Sequence, residues 1–96
     1  MLLLSRFKIL GHSMEPTLKQ NQTVIASSIP YFFMKPKVGD IVILQRERCI
    51  IKRISKISGD NFFVQGDNKA STDSRDFGWI NKKEIIGKVI LNFKNL

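Results

Sequence analysis

Ninety-six residues are enough for one hydrophobic core and too few for two, so residues 1–96 read as a single domain. One cysteine and one histidine exclude an internal disulfide, fit a reducing compartment and fall short of the ligands of a structural zinc site; no apolar run is long enough to span a bilayer. Sixteen Lys and Arg against eight Asp and Glu give a net charge of +8, which favours an acidic partner, but the basic residues are dispersed and a solvated basic surface explains them equally well.

The opening leucines are interrupted by Ser5, Arg6 and Lys8, too soon for the apolar centre of a secretory signal, and a cytoplasmic location is the expectation. Residues 6–10 read as a strand ending at Gly11, and residues 23–26 as a second strand after a polar turn. A loop with Pro30 and Pro36 follows. Within it Tyr31-Phe32-Phe33-Met34, followed by Lys35 and Lys37, reads either as a flap over one end of the core or as a contact for substrate or an anionic membrane surface. Gly39-Asp40 closes the loop. Residues 41–45 and 49–57 are apolar runs of strand length, joined by the hairpin turn Arg46-Glu47-Arg48. Ser58-Gly59-Asp60-Asn61 is a further turn, leading into residues 62–65. A polar stretch covers 66–78, and residues 85–93 form a last strand rich in β-branched residues. Short strands separated by turns, without a helical period, predict a small all-β fold.

Three segments ask for a chemical explanation. In Gly11-His12-Ser13-Met14-Glu15-Pro16, a serine lies on a tight turn after a strand, where a nucleophile is exposed and backbone N–H groups can face an oxyanion. Gly11 lets the backbone approach a substrate carbonyl; the same residues also make ordinary turns. In the strand beginning at Cys49, alternation puts Ile50, Lys52 and Ile54 on one face. A lysine between two isoleucines either lifts its head group to water or becomes a neutral amine suited to be a general base for serine. His12 adjoins Ser13, where extended side chains diverge, and Arg53 does not deprotonate, so Lys52 is the better partner. The third segment, residues 66–78, is dense in Asx and hydroxyl side chains that shape loops; a hydroxyl there could orient Lys52, and Asp73 and Arg75 could pair.

SMEPTL at 13–18, GDIV at 39–42, Lys52-Arg53, and GDNKASTDSRDFG at 66–78 occur in the order of the boxes of the type I signal peptidases, a family this chain resembles. The resemblance implies an antiparallel β catalytic domain that binds an extended segment of a precursor protein along strand edges, with no metal or organic cofactor. Carried over by position, Ser13 is the nucleophile and Lys52 the general base. Ser71 orients the lysine, Asp73 and Arg75 form a structural salt bridge, and Gly66, Asp67 and Asn68 shape the adjoining loop. Met14 and Pro16 belong to the nucleophile box, whose Ser13 N–H supplies one oxyanion donor. Gly11 stands where some members carry a second, hydroxyl donor.

Only 12 residues precede Ser13 and 13 separate Lys52 from Gly66, so the membrane anchor and the large β insertion of many members are not expected. This short pattern is most similar to the nickel-type superoxide dismutase maturation proteases, which implies removal of an N-terminal pro-segment from a cytoplasmic precursor. Two other readings stay open. Self-cleaving SOS-type repressors share a Ser-Met turn and a lysine 39 positions later, the same interval as from Ser13 to Lys52. A small basic β module that binds nucleic acid would use the charge, with Phe62 or Phe63 as a stacking surface.

Overall fold

The structure, a computed structural model, describes residues 3–70 and 78–93. Its strands are β1 (Ser5–Lys8), β2 (Thr23–Ser27), β3 (Ile41–Gln45), β4 (Cys49–Ser58), β5 (Asn61–Gln65), β6 (Trp79–Asn81) and β7 (Ile85–Phe93). All pairings are antiparallel, in one sheet ordered β1-β2-β7-β3-β4-β5-β6. The all-β expectation therefore holds. Register shifts at Ile25/Ala26, Ile43/Leu44 and Ile54/Lys56 bend the strands that carry them, and the sheet curls into a half-barrel.

Side-chain alternation explains the core. Val42 and Leu44 of β3, Ile54 of β4, Phe62 and Val64 of β5 and Ile80 of β6 form one buried cluster. Ile9, Met14, Leu18 and Val24 form a second, against which Phe7, Ile41, Ile51 and Val89 pack. Because β3 and β4 send alternate residues to opposite faces, Ile41 and Ile51 join the second cluster while Val42 and Ile54 join the first.

The two hairpins flanking β4 follow their turn residues. Arg46 N–H donates to the Arg48 carbonyl at 3.2 Å between β3 and β4, and Gly59, at φ +59°, occupies the left-handed region that favours glycine between β4 and β5. Three local elements differ from the expected map. Residues 30–33 form a single helical turn, α1 (Pro30–Phe33), with proline at its start; four residues are too few to show a period. β6 is shorter still, at three residues, and its pairing with β5 rather than any alternation defines it. A 3₁₀ turn, Lys82–Glu84, precedes β7, where a reciprocal capping box links Asn81 and Glu84.

Asp40 ties α1 to the sheet. Its carboxylate accepts from the Tyr31 hydroxyl at 2.7 Å and the Lys37 N–H at 3.0 Å, and pairs with Lys88 at 3.6 Å. Burial of the phenol, the hydrogen bond to Asp40 and the charge of Asp40 all push the Tyr31 pKa above its ordinary value. Tyr31 packs on the first cluster. Phe32, Phe33 and Met34 instead stay 58%, 83% and 45% exposed, so only one residue of this segment closes the core.

Candidate functional site

After β1 the chain makes a tight turn held from both ends. Ile9 pairs with the Gln22 carbonyl and the Asn21 N–H by backbone hydrogen bonds of 2.8 and 2.9 Å. Gly11 then takes φ +82°, with open space around it, so its conformation rather than crowding calls for glycine. Met14 and Leu18, both buried, anchor the following residues in the second core cluster, and the Leu18 N–H donates to the Met14 carbonyl at 2.9 Å. The Glu15–Pro16 bond is cis. Ser13 is left half-buried between the exposed His12 and the buried Met14.

Lys52 sits in the middle of β4, opposite Val42 of β3. Only 3% of it is exposed, as the alternation of Ile50, Lys52 and Ile54 predicted. Ser13 and Lys52 line the same cleft, about 410 Å³ in volume. One wall is formed by residues 8–14, the other by residues 48–52. β5 pairs with β4 only from Arg53 onward, so along residues 49–52 the strand has a single strand neighbour, β3, among the described residues. Its other edge borders the cleft.

The Gly66-Asp67-Asn68 loop clasps both walls. The Asn68 N–H donates to the Ser13 carbonyl and its side-chain amide to the His12 carbonyl, each at 2.9 Å. The Asn68 carbonyl oxygen of the side chain accepts from the Ala70 N–H at 3.0 Å. Asp67 receives both Nε and Nη2 of Arg53 at 2.8 Å, and the Thr17 hydroxyl at 2.6 Å. Arg53 Nη1 reaches the Gly39 carbonyl at 2.7 Å. Arg53 follows Lys52 and points to the opposite face, so one strand presents an amine to the cleft and a guanidinium to the loop that shapes it. Burial would raise the Asp67 pKa, but hydrogen bonds from Arg53 and Thr17 and the charge of Arg53 together hold it below the ordinary aspartate value. The Asp67 hydrogen bond raises Arg53 in turn, against the opposing effect of burial.

From the sequence Gly66, Asp67 and Asn68 were expected only to shape a loop; its contacts with the nucleophile turn, and Thr17 and Arg53 as partners of Asp67, were missed. An arginine next to the lysine, on the opposite strand face, was the available signal. Ser71, Asp73 and Arg75, expected to orient the lysine and to form a salt bridge, lie outside the described residues. His12 Nδ1 lies 2.7 Å from Glu15 Oε2, within its own turn. Phe62 is in the core, and the Phe63 ring meets Trp79 edge-on at 5.5 Å and Lys56 at 5.4 Å.

This assembly of boxes has a match among known families. The family model described as signal peptidase, peptidase S26, matches residues 1–61 and 50–94. The chain belongs to the signal peptidase family. A relative within reach of sequence comparison is the mitochondrial ATP-independent inner membrane protease subunit 1a of Arabidopsis thaliana, 30% identical over 117 aligned residues that cover 93% of this chain and 70% of the relative. Membership of this family makes the chain signal-peptidase-like and supports peptidase activity. No helix among the described residues is long and apolar enough to cross a membrane.

Proposed function

We propose that this signal peptidase relative is a serine endopeptidase in which Ser13 is the nucleophile and Lys52 the general base. The observation that carries the reading is the placement of Ser13 and a 3%-exposed lysine on facing walls of one cleft. Taking an ammonium out of water penalises its charged form, and a neutral amine can accept the serine proton.

The substrate is an extended segment of a precursor protein. Along residues 49–52 the β4 edge has no second strand partner among the described residues and offers backbone hydrogen-bonding groups to such a segment. Lys52 takes the proton from the Ser13 hydroxyl as Oγ bonds to the scissile carbonyl carbon. The Ser13 N–H faces the resulting oxyanion, with a second donor from backbone or water. Collapse of the intermediate breaks the C–N bond, and the Lys52 ammonium returns its proton to the departing amine. Lys52 then deprotonates water, which hydrolyses the ester and regenerates Ser13. Ser71 fits the role of orienting the lysine by its position in the sequence motif. Asn68, Asp67 and Arg53 are positioning residues, because they hold the turn and the strand that carry the two reacting groups.

Within the family, the short spacing between the lysine and GDN boxes favours removal of an N-terminal pro-segment from a cytoplasmic precursor, as in maturation of a nickel-type superoxide dismutase. The exposed Phe32, Phe33 and Met34, with exposed Lys35 and Lys37 beside them, support a peripheral contact with an anionic membrane. The Arabidopsis relative is named an inner membrane protease subunit, which agrees with such a contact.

The decisive experiment compares wild type, Ser13→Ala and Lys52→Ala on peptides with small residues before the scissile bond, with mass spectrometry to locate the cut and circular dichroism to verify folding. Cleavage by wild type and loss in both folded variants is expected. Activity in folded Ser13→Ala would sink the mechanism.

A further inference from the structure

Two cations besides Lys52, Lys8 and Arg48, line the cleft that holds Ser13. The relation follows from topology. Four successive antiparallel pairings connect β1 to β4 through β2, β7 and β3, so β1 and β4 run in the same direction. Lys8 ends β1 and Arg48 stands just before β4, so each opens its wall of the cleft, residues 8–14 and 48–52, ahead of Ser13 and Lys52 in the chain.

Both Lys8 and Arg48 are exposed, and neither has an ion pair or side-chain hydrogen bond among the described residues. By contrast, Arg46 is held by Glu84 at 3.0 Å. Among the lining residues, Lys8, His12, Arg48 and Lys52 are basic and none is acidic. An anionic side chain entering beside Lys8 and Arg48 meets two cations, one from each wall.

We propose that Lys8 and Arg48 form a charge clamp that selects precursor segments carrying Asp or Glu about four residues from the scissile bond. The inference rests on the peptidase reading, because the scissile bond is placed at Ser13. The distance follows from strand geometry: Arg48 precedes Lys52 by four residues, roughly 13 Å at about 3.3 Å per residue, and an extended peptide in the cleft advances at the same rate. Cations at the mouth of a cleft also raise the encounter rate with an acidic chain and disfavour a basic one. An acidic peptide is preferred over nucleic acid because the cleft borders a β4 edge with no second strand partner among the described residues, while Phe62 lies in the core and Phe63 packs on Trp79.

The test uses internally quenched peptides with alanine on both sides of the scissile bond and Glu, Ala or Lys three to five residues away on either side. Cleavage is measured with the full wild-type chain, and binding by fluorescence anisotropy with Ser13→Ala. At low salt the Glu peptide should exceed the Lys peptide by about tenfold in both readouts on one side of the bond, and the ratio should shrink towards one in high salt. Lys8→Glu with Arg48→Glu should invert the ratio. If that pair does not fold, Lys8→Gln with Arg48→Gln should flatten it. A ratio between peptides is unaffected by the overall level of activity. Equal cleavage and binding of Glu and Lys peptides would overturn the clamp and leave the peptidase reading intact. Charge-dependent binding that inverts with the variants, without cleavage of any peptide, would uphold the clamp and count against the peptidase reading. Tighter binding of a thymidine oligonucleotide than of every acidic peptide would overturn the clamp in favour of nucleic acid.

Discussion

Asp67→Asn removes one charge from the buckle that joins the two walls of the cleft. Asp67 is 15% exposed in its side chain and Arg53 32%, so the pair is shielded from water more than an exposed ion pair and less than a fully buried one. Asparagine cannot accept the two-pronged contact from Arg53, which lies at 2.8 Å on each oxygen, while also accepting from Thr17. Charge-assisted hydrogen bonds of this kind contribute about 1.5–3 kcal/mol, and screening keeps the loss below that of a fully buried pair. A destabilisation of about 2–3 kcal/mol is therefore expected in urea unfolding at pH 7, followed by fluorescence of Trp79. Arg53→Lys should cost about half as much, since the charge is kept and the fork lost. The folded-state pKa of Asp67 is depressed. Its contribution is thus fully present above the unfolded value, about 3.9, and is lost as pH falls through the lower folded value. Wild type and Asp67→Asn should therefore converge in stability below about pH 4. A double-mutant cycle of Arg53→Ala and Asp67→Ala with a coupling below about 0.5 kcal/mol would refute the buckle.

Asn68→Ala removes the amide that holds the His12 carbonyl, and should lower kcat by about tenfold or more with a smaller change in KM, because misplacement of a reacting group costs rate; an unchanged kcat in steady-state cleavage would exclude the positioning role. Tyr31→Phe loses the hydrogen bond to Asp40 and should destabilise by about 1 kcal/mol in urea unfolding. The raised folded pKa of Tyr31 adds stability below the unfolded value near about 10 that is lost as pH rises, so this variant should show a weaker alkaline decline than wild type. Phe32→Ser with Phe33→Ser should abolish co-sedimentation with anionic phospholipid vesicles; wild type remaining in the supernatant would dismiss the membrane contact.

Strand content was legible because its causes are local. Ile41-Val42-Ile43-Leu44 and Cys49-Ile50-Ile51 carry apolar and β-branched residues, and Arg46-Glu47-Arg48 and Ser58-Gly59-Asp60-Asn61 interrupt them with turn formers. The burial of Lys52 was legible for a similar reason, since a period of two assigns it to the face of Ile50 and Ile54. By contrast, the helical turn α1 and the strand β6 are too short to leave a periodic trace. What the chain could not show by itself was which distant residues meet. Thr17, Arg53 and Asp67 are separated by up to 50 positions, and each is an ordinary surface-type residue when read alone. Local propensity acts between neighbours, whereas the cleft depends on the order of strands in the sheet and on where β5 stops pairing with β4. Only the tertiary structure decides that order, and with it the one cleft that Lys8, Ser13, Arg48 and Lys52 line together.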